Sequence, residues 1–88
     1  MKPIYTFHSD PGHAWLEVPL GDALNVPGIS PYSYIDVVNR KAYLEEDCDA
    51  TRFLAHWHGA HWREEVNIQE KYEENTFIRN LPRYGKHP

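Results

Sequence analysis

The stretch Ile4-Tyr-Thr-Phe-His-Ser-Asp-Pro-Gly-His-Ala-Trp-Leu-Glu-Val18 decides the fold class. Ile4 to His8 is rich in strand formers, and Ala14, Leu16 and Val18 alternate with Trp15 and Glu17, the two-residue period of a half-buried strand. Asp10-Pro11-Gly12 between them is a turn: proline presets φ and glycine accepts a positive φ. The reading is a β-hairpin. Working outward, Pro19 ends the second strand, and Leu20 to Asn25 forms a short helix closed by Pro27-Gly28. Ser33 to Val38 and Lys41 to Glu45 are two further strands around Asn39-Arg40, a second hairpin.

At Asp49 the period changes. Asp49 is placed as an N-cap, its carboxylate accepting backbone N–H groups. Phe53, Leu54 and Trp57 share one helical face, and Gly59 suits the C-terminal cap. Val66, Ile68 and Tyr72 then read as a last strand. The helix formers Glu64, Glu65, Gln69, Glu70 and Lys71 support the rival, one helix running on to Tyr72. The expected order is β-β-α-β-β-α-β, a single α+β domain over residues 1–88 with a small antiparallel sheet and helices on one face.

Composition bounds the function. The chain has 88 residues, nine basic and thirteen acidic side chains, six histidines and one cysteine. One domain is all this length accommodates. A formal charge of −4 has the wrong sign for a general nucleic-acid binder. A lone Cys48 excludes an intrachain disulfide framework and a multi-cysteine zinc site. No apolar run reaches the roughly 20 residues that span a bilayer, and Met1-Lys-Pro is not followed by a signal-peptide core. The expectation is a soluble, cytoplasmic protein with no membrane and no nucleic-acid partner. Residues 45–74 hold nine acids and three bases, whereas 75–88 hold Arg79, Arg83 and Lys86 and no acid. An acidic middle beside an extended basic tail predicts an internal electrostatic clasp or a binding strap.

The segments His8-Ser-Asp-Pro-Gly-His-Ala-Trp-Leu-Glu-Val-Pro19, Tyr32-Ser-Tyr34, Tyr43-Leu-Glu-Glu-Asp-Cys-Asp-Ala50 and Ile78-Arg-Asn-Leu-Pro-Arg-Tyr84, in this order, resemble a family of small uncharacterised proteins encoded by bacteriophages, prophages and plasmids. The resemblance runs from about residue 5 to residue 84 and leaves out Trp57-His-Gly-Ala-His-Trp62. It implies a strand after the second helix, a mobile-element setting, and action by binding a host protein, inhibition of a host defence complex being its most specific form. It brings no catalytic residues and no cofactor.

Four features carry candidate chemistry. Trp15 lies on the strand face opposite Leu16 and Val18, beside Glu17; Tyr34 shares a face with Asp36, and Tyr43 with Glu45. Aromatics paired with acids suggest a partly exposed sheet face, with Trp15, Tyr34, Asp36 and Tyr43 supplying buried contact area and Glu45, Glu46 and Asp47 steering a basic partner. The alternative is that a helix or the C-terminal segment covers that face. The same face used symmetrically would make a homodimer or a larger structural homo-oligomer.

His56, His58 and His61 form a metal-binding alternative, with His8, Asp10 or His13 as a fourth ligand. They converge only if the helix ends near Gly59, and imidazoles at a helix terminus, meeting its free carbonyls and negative dipole end, are the preferred reading. His8-Ser-Asp-Pro-Gly-His13 could form a catalytic dyad but lacks a nucleophile elbow, and Glu45-Glu46-Asp47-Cys48-Asp49 lacks the spacing of a calcium loop. No catalytic residue is assigned. Cys48, among acids that raise a thiol pKa, reads as a buried small side chain.

Overall fold

A computed structural model describes residues 1–85; Lys86, the last base of the tail, lies outside the described residues. Five strands form one sheet in the order β3-β4-β2-β1-β5: β1 Ile4–Ser9, β2 Ala14–Pro19, β3 Tyr34–Asp36, β4 Lys41–Glu45 and β5 Asn67–Tyr72. Both hairpins form as the alternation requires. In the first, Phe7 faces Leu16 and Ser9 faces Ala14, and Asp10 N donates to His13 O (2.9 Å). In the second, Tyr34 faces Tyr43. Arg40 takes φ 55° to close that turn, a left-handed value carried here by a non-glycine residue.

The expected antiparallel sheet is instead mixed, because β5 runs parallel to β1, from Ile4 opposite Asn67 to Ser9 opposite Tyr72. The reason is topological. β4 is antiparallel to β2, and β2 to β1, so β4 and β1 point the same way. The helical segment after β4 returns the chain to the starting end of the sheet, and the next strand must then be parallel to β4 and β1. Hairpin signals are local; a crossover past two intervening strands leaves no comparable mark in the sequence.

That segment is α2 (Asp49–His58) followed by α3 (Trp62–Glu65). Gly59 closes α2 with φ 85°, a backbone angle that favours glycine. Helix and strand therefore both occur between Arg63 and Tyr72, with Val66 buried at the switch. A five-residue α1 (Leu20–Leu24) follows β2. The helices pack on one sheet face, where Leu16, Val18, Ala42 and Leu44 meet Ala23, Ala50, Phe53, Leu54 and Val66. Phe53 is wholly buried, and burial of such a side chain stabilises the fold by about 1.5–3 kcal/mol.

Asp49 does not cap α2. The helix begins at Asp49 itself, Cys48 occupies the cap position, and the Cys48 side chain makes no capping hydrogen bond. The Asp49 carboxylate, 1% exposed, instead accepts from Ser30 N (3.1 Å), Ser30 Oγ (2.6 Å) and Ser33 Oγ (2.5 Å). A buried carboxylate needs several donors, and the loop before β3 provides them. Cys48, expected to be buried, is exposed; the inward position belongs to Asp49.

Candidate functional site

The second sheet face carries Trp15, Tyr34 and Tyr43, as the alternation predicts. It is covered rather than partly exposed. A one-turn 3-10 helix, η1 (Phe77–Asn80), and the chain after it lie across this face, so the basic tail is extended only beyond Asn80. Ile78 and Leu81 pack against the three aromatics. Trp15 is 2%, Tyr43 4% and Tyr34 7% exposed. Tyr43 meets His8 and Phe77 edge-on, at ring-centroid distances of 5.5 and 5.4 Å. Burial pushes its phenol up to about 12, with help from the negative charges of Glu17 and Asp36. Its role is in the core.

The clasp expected between acidic middle and basic tail forms with a different acid. Arg79 Nε donates to Asp10 Oδ2 (2.6 Å) and its Nη2 to Oδ1 (3.2 Å). Asp10 also accepts from the backbone of Gly12 and His13 in its own turn, at 2.9 and 2.8 Å. The Arg79 guanidinium, followed by those turn amides, holds the Asp10 carboxyl well below the usual carboxylate range. Arg79 also lies over the Trp15 ring, 5.1 Å from its centroid. Further on, Ile35 N donates to Pro82 O (2.9 Å) and Arg83 bridges to Tyr34, so the chain runs beside β3. It then enters the helix-side core at Tyr84, whose hydroxyl donates to Ala23 O (3.2 Å).

Where this strap meets the end of the sheet it leaves a cleft of about 420 Å³. Trp15 and Tyr34 form its aromatic floor, in edge contact at 6.0 Å. Glu45 and Asp47 line it with negative charge, and Arg79 and Arg83 with positive charge. Tyr32 adds a ring that is 69% exposed. Tyr32 is positioned by the buried Asp49: Ser30 Oγ, bound to that carboxylate, accepts from Tyr32 N at 3.2 Å. Glu45 is fixed by donors from Asp47 N (2.9 Å) and Cys48 N (3.1 Å), and its own N–H donates to Ser33 Oγ (2.9 Å). Arg83 stacks on Tyr34 at 5.6 Å and donates to Pro31 O (3.2 Å).

Of the seven contact residues expected from the sequence, the cleft brings together Trp15, Tyr34, Glu45 and Asp47. Tyr43 is buried under η1. Asp36 is tied to Asn39 in its own turn, through Asn39 Nδ2 (2.8 Å) and Asn39 N (3.1 Å). Glu46 is exposed outside the lining. Tyr32, Arg79, Arg83 and His13 join the lining without having been grouped with the acids. The signal for the arginines was the acid-free tail, and of the two readings of the sheet face the fold adopts the alternative, in which the C-terminal segment covers it.

Among the described residues no three His, Cys, Asp or Glu side chains are placed to hold a metal ion. His58 Nε2 is bound to Tyr5 OH at 2.7 Å, His56 meets the Trp57 ring edge-on, and His61 approaches Glu64 at 3.8 Å. Of the candidate fourth ligands, His8 Nε2 meets Glu17 Oε1 at 2.8 Å and Asp10 meets Arg79, while the His13 ring lies beside Trp15.

No protein-family model, no curated protein and no solved structure matches this chain. Fold and site together define a small α+β domain with a five-stranded mixed sheet and a cleft of mixed charge. No helix among the described residues is long and apolar enough to cross a membrane.

Proposed function

We propose that this domain is a non-enzymatic protein-binding module that holds its partner in the cleft beside Tyr32. The supporting observation is an aromatic floor between fixed charges of opposite sign, with one exposed tyrosine beside it. Tyrosine, tryptophan and arginine are the side chains that dominate interface energies, and fixed charges around them set partner choice. Glu45 and Arg79 are held by intramolecular partners, so they offer oriented charge. The ordered motifs imply a host protein as the partner, in a phage or plasmid setting, with inhibition of a defence complex as the most specific form.

Trp15→Ala or Tyr34→Ala would damage the core, so the informative substitutions are at exposed positions. Tyr32→Ala combined with Asp47→Lys leaves the urea midpoint within experimental error and abolishes retention of a host protein that the natural chain retains. Val38→Ala, an exposed change in the β3–β4 turn, leaves retention intact. Equal retention by all three proteins overturns the reading.

A further inference from the structure

The two edges of the sheet are treated differently. The β3 edge is three residues long and is closed by the strap through Ile35 N to Pro82 O and the Tyr34–Arg83 bridge. The β5 edge is six residues long, holds no proline, and every one of its residues is exposed. An uncovered edge of this kind is a template for another strand unless something blunts it.

The hydrogen-bond phase shows which groups it offers. Asn67 N donates to Pro3 O (2.9 Å) and Glu73 N to Ser9 O (2.8 Å). In a parallel ladder alternate residues bond the same neighbour, so Asn67, Gln69, Lys71 and Glu73 direct their backbone groups at β1. Ile68, Glu70 and Tyr72 direct theirs outward. Their side chains share the helix-side face, since they pair in register with Tyr5, Phe7 and Ser9. Ile68 is 36% and Tyr72 60% exposed, one on each side of Glu70.

We infer that β5 is a strand-addition site that takes an extended basic segment of a partner protein. Main-chain hydrogen bonds to Ile68, Glu70 and Tyr72 would supply affinity, and alternate side chains specificity: apolar beside Ile68 and Tyr72, basic opposite Glu70. Charge selects this occupant over a second copy of the chain. Residues 64–74 hold Glu64, Glu65, Glu70, Glu73 and Glu74 against Lys71 alone. A second copy would set one such edge against another, whereas a lysine- or arginine-bearing strand is attracted to it. The inference does not depend on the cleft, which lies at the other edge of the sheet.

The test uses a short peptide alternating lysine and valine, its glutamate–valine counterpart, and amide NMR of the full chain. The basic peptide shifts the amides of Ile68, Glu70 and Tyr72 saturably, and the acidic peptide does not. Glu70→Pro removes only an outward N–H, at an edge position where proline is tolerated, and lowers affinity about tenfold or more. Glu70→Gln keeps the backbone and gives a smaller loss. A peptide of the same charge, N-methylated at alternate residues, fails to bind the natural chain; this arm decides the matter even where Glu70→Pro disturbs the fold. Four results overturn the inference: no shift at millimolar peptide, undiminished binding of the N-methylated peptide, shifts confined to Tyr32 and Trp15, or self-association of the natural chain that Glu70→Pro abolishes. Shifts confined to Tyr32 and Trp15 would leave the cleft reading standing, and host-protein retention undiminished by Tyr32→Ala with Asp47→Lys would overturn the cleft and leave the edge standing.

Discussion

Cutting the Asp10–Arg79 clasp probes how the C-terminal strap is held on the sheet. Arg79→Ala removes two charge-assisted hydrogen bonds and the stacking over Trp15. The Asp10 side chain is 4% exposed and that of Arg79 45%, so the pair lies between a surface ion pair, at about 0.2–1 kcal/mol, and a charged hydrogen bond within the protein, at about 1.5–3 kcal/mol. The coupling expected from a double-mutant cycle of Asp10→Ala and Arg79→Ala is about 1–2 kcal/mol, read from urea unfolding. Each single change costs more than the coupling, about 2–3 kcal/mol, because Asp10→Ala also frees the Gly12 and His13 amides and Arg79→Ala also bares Trp15. In a domain of this size, about 1 kcal/mol moves Tm by roughly 4–8 °C. The sign with pH follows from the lowered Asp10 pKa. The clasp's contribution is fully present above the ordinary carboxylate value, near 3.9, and is lost as pH falls through the lower folded value. The natural chain therefore loses stability more steeply in acid than Asp10→Ala does. Coupling below about 0.3 kcal/mol, within the scatter of additive changes, or identical acid limbs for the natural chain and Arg79→Ala, would refute the reasoning.

Asp49→Ala strands a part-buried backbone N–H and two serine hydroxyls, one of them fully buried, and costs about 3–5 kcal/mol in urea unfolding, whereas Asp49→Asn, which keeps one acceptor oxygen, costs less than half as much. Alkaline absorbance titration shows a last tyrosine ionising near 12, and Tyr43→Phe removes that component. Because this pKa is raised on folding, the Tyr43 contribution to stability is complete below about 10, the ordinary phenol value, and is lost as pH rises toward 12.

What the sequence determined by itself is what depends on near neighbours. The two hairpins, the short helix after Pro19, the start of α2 at Asp49, its end at Gly59 and the division of β2 into a Leu16–Val18 face and a Trp15 face all follow from two- and 3.6-residue periods and from turn chemistry within a few positions. Glu45 and Asp47 were legible for the same reason, as acids where a strand passes into a helix.

What only the tertiary structure decided depends on partners far apart in the chain. Asp49 reads as an N-cap, but it stands one residue inside the helix and its carboxylate is claimed by serines 16 and 19 residues away. Asp10 and Arg79, 69 residues apart, fix the strap that turns an apparent contact face into core and gathers Tyr32, Glu45, Asp47 and Arg83 around what remains open. The direction of β5 follows from a crossover past two strands, and with it the phase that points Ile68, Glu70 and Tyr72 outward. Local periodicity states which side of an element is apolar; what comes to cover that side is settled only when distant segments compete for the same surface.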